Sequence, residues 1–158
     1  MDNMNKQTAT TSETTTPAAQ ETAPATTPTL ATAASLPNGY LANGSMVDTD
    51  GIMLPEYIGE YAEEIARQLK PLKPSAFYGE FLREAKNARK KKAPYSAQKN
   101  CAMGMVIAAK KLVSRKKDPA PALLLEMIAR ATATVTDSAT FEALYMHLDA
   151  VYSYMLSD

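Results

Sequence analysis

The sequence predicts an all-α fold: a compact bundle of about five helices preceded by a disordered N-terminal tail. Three observations carry that expectation. Apolar residues recur at three- and four-residue spacing in successive segments, and breaks rich in Pro separate those segments. No alternating run of β-branched residues is bounded by hairpin turns. The one β-prone piece, TATVT at 132–136, is too short and isolated to build a sheet.

The tail comes first. Up to about residue 50 the chain is mostly Thr, Ala and Pro, with almost no large side chains. Such a stretch cannot bury enough surface to offset its ordering entropy. The expected division is therefore a disordered tail over 1–50 and a helical domain over 51–158. The Thr/Pro-rich composition and the NGS at Asn43 also fit a glycosylated stalk. A stalk needs export, and no basic segment leads into an apolar one at the N-terminus. No apolar run approaches membrane-spanning length, and the expected compartment is the cytoplasm.

Pro55 opens the first periodic segment, PEYIGEYAEEIARQLK. Tyr57, Tyr61, Ile65 and Leu69 recur at helical spacing, with acids early and bases late. PLKP breaks it, and Ser75 can cap the next helix, which runs to about Lys92. On a helical wheel, Phe77, Phe81, Ala85 and Ala88 share one side. Arg83, Lys86 and Lys90 lie nearly opposite, flanked by Arg89. APYS is a break, after which Cys101, Met105, Ala108 and Leu112 stripe a third helix. DPAPA separates this from a fourth helix with Leu124, Ile128 and Ala131 on one face. The last helix has Asp137 or Ser138 as its cap. Its main stripe runs from Phe141 through Leu144, Tyr145, Leu148, Val151 and Tyr152 to Met155. A second line, Ala143, His147, Ala150 and Tyr154, predicts contact with neighbours on two sides.

A net charge of zero conceals a polarised chain. Between Arg83 and Lys117 stand twelve Lys or Arg and one acid, Glu84. A surface built only for solubility intersperses both signs, so this one-sidedness points to a polyanion. The contacts expected are phosphate contacts from Arg83, Lys86, Arg89, Lys90, Lys111 and Arg115. They supply affinity without sequence information. Tyr78 and Tyr95 sit beside the basic stretch, where aromatic rings can stack nucleobases. Tyr145, Tyr152 and Met155 fall in apolar stripes and are expected in the core.

Chemistry-bearing constellations are sparse. A single cysteine, Cys101, excludes an internal disulfide, and a single histidine, His147, excludes a His-pair metal site. Asp149, two positions from His147, points to a different helix face, so His147 is expected in a structural or interface role. With no Gly-rich phosphate loop, carboxylate pair or nucleophile motif, neither catalysis nor a cofactor or metal is expected.

The order of these features resembles the small subunit of type III, Csm-type CRISPR effector complexes, over roughly residues 54–156. LKPSAFYGEFLREAKNARK is similar to that family's first core helix, with its leucine, hydroxyl-rich cap and basic amphipathic stretch. AKKLVSR, ending at Arg115, is similar to a second family helix closed by small residues and an arginine. LLLEMIAR is similar to the apolar penultimate helix. Phe141, Asp149, Ala150 and Tyr154 in FEALYMHLDAVYSYM resemble the closing helix. Where family members often carry an arginine just after the cap, this chain has Tyr78, so the resemblance implies that this RNA contact is either lost or replaced by Arg83 or Lys86. The resemblance implies a noncatalytic subunit present in several copies. It would contact single-stranded target RNA inside a crRNA-containing complex and pack against other effector subunits in antiviral defence. Two rival readings remain at this level: a protein-interaction adaptor whose basic helices dock an acidic partner, and a small DNA-binding helical protein.

Overall fold

Five helices follow a short 3-10 turn at Pro55–Tyr57 in the computed structural model, which describes residues 35–115 and 119–157. They are α1 (Glu60–Gln68), α2, α3 (Tyr95–Arg115), α4 (Pro119–Thr132) and α5 (Ser138–Leu156). Helix α2 is continuous but composite. It is α-helical over Pro74–Phe77, π-helical over Tyr78–Leu82 and α-helical again over Arg83–Lys90. The all-α expectation therefore holds, and TATVT forms the end of α4 and the turn behind it. Among the described residues the only β pairing is an isolated bridge between Val47 and Met53.

Helix α1 packs along α5 and α3 along α4, with α2 between the two pairs. The core is one continuous cluster that includes Ile65, Phe77, Phe81, Leu124, Ile128, Phe141 and Leu148. Both lines foreseen on α5 are used. Phe141, Leu144, Leu148 and Val151 are buried on one side, and Ala143 and His147 on the other. Asp137 caps α5 by accepting the Thr140 N–H at 2.8 Å. The Thr140 hydroxyl in turn accepts the Asp137 N–H at 3.0 Å, a reciprocal box. The Thr140 N–H first, and then the Thr140 hydroxyl donating to the same carboxylate at 2.9 Å, hold the Asp137 carboxyl below the usual carboxylate range.

The boundary expected at residue 50 moves. The described residues begin at Ser35, and the expected tail over 1–34 lies outside them. Residues 35–50 pack, with Tyr40 and Met46 buried. Their composition is poor in large side chains, but the few present are enough to anchor tight turns. Gly39 supplies the positive φ, +83°, that the first turn needs, and a Cβ there would come within 3.0 Å of the Tyr61 hydroxyl. Met46 and Asp48 are tied to the following segment by backbone bonds of 2.8 Å, Leu54 N–H to Met46 O and Asp48 N–H to Ile52 O.

His147 locks this N-terminal segment onto α5. Its ring is fully buried. The carbonyl of Tyr57 can only accept, so Nδ1 carries the proton that it receives at 2.6 Å. Nε2 then accepts from the Tyr40 hydroxyl at 2.7 Å. Burial pushes the imidazole pKa down to about 4, against a smaller upward pull from the bond to Tyr57. Arg130 completes the lock by donating to the Tyr40 carbonyl at 2.5 Å. The structural role expected for His147 is what its surroundings supply.

Candidate nucleic-acid interface

The π segment of α2 sets the geometry of the basic face. Arg83 N–H bonds to Tyr78 O, five residues back rather than four. One extra residue in that turn lets the consecutive pair Phe81 and Leu82 both reach the core. It also leaves the next two turns, Arg83–Lys90, free to present charge outward. Gly79 lies under the Arg83 guanidinium, whose Nη2 would sit 3.3 Å from any Cβ added there.

Arg83, Lys86 and Lys90 are exposed along the outward side of α2. Among the described residues none of the three makes an ion pair. Arg89, on the flank towards α5, is engaged instead. Its Nε donates to both carboxylate oxygens of Glu142, at 2.8 and 2.7 Å, while its guanidinium lies 4.8 Å over the Tyr145 ring. The Glu142 hydrogen bond, more than any other influence, raises the guanidinium pKa further. Of the six residues expected on phosphates, Arg89 is the one with an ion pair among the described residues.

Lys111 and Arg115 are exposed near the far end of the α2–α3 hairpin. The two helices run antiparallel. One groove between them brings Ala88 beside Ala97, and its continuation brings Phe77 beside Leu112 and Arg115. Twenty residues separate Tyr95 from Arg115, so α3 carries Arg115 roughly 30 Å from the Lys90 end. Glu80 and Glu84 line the groove between these ends, which holds cavities of about 550 and 470 Å³. The six residues therefore form two basic groups, one on α2 and one on α3. Lys99, also counted in the basic stretch, is diverted to the Val135 carbonyl at 2.9 Å, and Lys116 and Lys117 lie outside the described residues.

An aromatic border separates α2 from α5. Tyr78 and Tyr152 are half-buried, with ring centroids 5.3 Å apart and planes tilted by 44°. The Lys86 ammonium stands 6.0 Å over the Tyr78 ring. Tyr145 is buried beneath Arg89, and that burial raises its pKa. The stripe reading put Tyr152 in the core. The signal that it borders the basic face was present in its seven-residue spacing from Tyr145, but the partner across the border was not legible. Tyr95 stands apart, its hydroxyl donating to the Val135 carbonyl at 3.4 Å.

Other chemistry is thinly supplied. Among the described residues no three His, Cys, Asp or Glu side chains gather in a metal-binding arrangement. Cys101 is half-buried beside Glu84, and burial chiefly, with that carboxylate, raises its thiol pKa, the reverse of an activated thiolate. No described helix is long and apolar enough to cross a membrane. No family model matches the chain, and neither a curated protein nor a solved structure matches it significantly.

Proposed function

We propose that this chain is a noncatalytic helical subunit that holds single-stranded RNA by its backbone. The observation that carries the reading is the outward face of α2, where Arg83, Lys86 and Lys90 present charge without a carboxylate partner among the described residues. Charges held this way attract phosphates and release counterions, giving affinity that ignores sequence. Lys111 and Arg115 supply a second phosphate contact at the other end of the hairpin. The half-buried tyrosines beside Lys86 favour unpaired strands over duplex DNA.

The order of segments that resembles Csm-type small subunits supports a finer reading. On it the chain works in several copies within a cytoplasmic type III CRISPR effector complex. Guide pairing there supplies specificity, and this subunit grips the target strand. Met103 and Ile107, one turn apart on α3 and each 56% exposed, offer an apolar contact to a neighbouring subunit.

Affinity purification of the tagged full chain, followed by RNA sequencing and identification of co-purifying proteins, tests this proposal. Recovery of crRNA together with other effector subunits is the expected result. Recovery of an acidic protein free of RNA would replace the proposal with the adaptor reading.

A further inference from the structure

The π turn does more than shape the core. It inserts one residue into α2, so the eight-residue step from Tyr78 to Lys86 behaves like a seven-residue step of two turns. That brings Tyr78 onto the same outward line as Lys86, and the ammonium stands over its ring. Across the helix boundary, Tyr152 meets Tyr78 at a 44° tilt, too open for the two rings to cover each other's faces. Both rings are half-buried, and neither hydroxyl has a hydrogen-bond partner among the described residues. A ring serving only as core filler would be buried like Tyr145, two turns earlier on α5.

We propose that Tyr78 and Tyr152 form a stacking platform for one unpaired nucleobase, with Lys86 on the phosphate beside it. The site rests on the RNA reading given above and narrows it to a strand whose bases are free. A ring face next to an exposed ammonium provides both parts of a nucleotide contact, a π surface for the base and a cation for the backbone. Lys86 sits at the outer limit of cation–π contact, so an incoming base displaces little. In a duplex the base faces are covered by their neighbours, and the platform has nothing to hold.

The test compares the full chain's affinity for fluorescein-labelled oligouridylate and for an abasic ribose–phosphate oligomer of equal length and charge. Oligouridylate should bind about tenfold more tightly, the contribution of one stacked base. Tyr152→Leu should remove that difference and leave the abasic affinity unchanged, and Tyr152→Phe should retain it. The wild-type comparison stands even if Tyr152→Leu unfolds. Equal binding of the two oligomers would overturn the platform while leaving the phosphate-binding reading intact. Failure to bind either oligomer would overturn both.

Discussion

The Glu142 carboxylate receives Arg89 Nε on both of its oxygens, joining α2 to α5 across 53 positions of sequence. The pair is partly exposed, with side-chain accessibilities of 44% and 40%, so it stabilises the fold only weakly. It does, however, occupy a cation that the basic face would otherwise offer to phosphate.

Glu142→Gln should therefore free Arg89. The expected result is RNA affinity raised about two- to fivefold at low salt, with folding stability lowered by less than about 1 kcal/mol. Fluorescence anisotropy with labelled RNA, alongside urea denaturation, checks both. Unchanged or weakened binding would mean that Arg89 serves the α2–α5 junction alone.

Acid should unlock the N-terminal segment. The unfolded chain protonates His147 near pH 6.5, whereas the folded chain resists until about pH 4. Between those values the unfolded state binds the extra proton, so stability falls as pH falls. From pH 7 to 5 this group should remove about 2 kcal/mol. His147→Gln, which cannot titrate, should show a flatter profile in urea midpoints over the same range. Parallel profiles for the two proteins would contradict the burial argument.

A chain beginning at Gly51 should fold poorly. It lacks Tyr40, Leu41 and Met46, all buried, and leaves the His147 Nε2 without its hydroxyl partner. Losing about 1.5–3 kcal/mol for each fully buried side chain consumes much of a stability of about 5–15 kcal/mol. Circular dichroism melting should show a transition far below that of the full chain. A matching melting temperature would restore residue 50 as the domain boundary.

The helical pattern was legible because each amphipathic segment has its own periodicity and its own breakers. Thus Phe77, Phe81 and Ala85 could be assigned to the core from spacing alone, and the cap of α5 narrowed to Asp137 or Ser138, of which the structure uses Asp137. The packing of residues 35–50 was not legible. Tyr40 and Met46 are few and separated, and their anchors, His147 and Tyr57, lie far along the chain or in another segment. The charge on α2 could be read from the sequence, but its partners could not. Arg89 and Glu142 meet only because α2 and α5 are adjacent in space. The π turn leaves no local signature, so the alignment of Tyr78 with Lys86 was hidden as well.

The salt dependence of RNA binding tests the central claim most directly. Five basic residues without an ion pair among the described residues, Arg83, Lys86, Lys90, Lys111 and Arg115, predict that log affinity for single-stranded RNA falls by about 3.5 per tenfold rise in salt. Replacing Arg83, Lys86 and Lys90 together with Gln should reduce that slope by about 2. A slope near zero in the wild type, or one unchanged by the triple replacement, would contradict phosphate binding by this face.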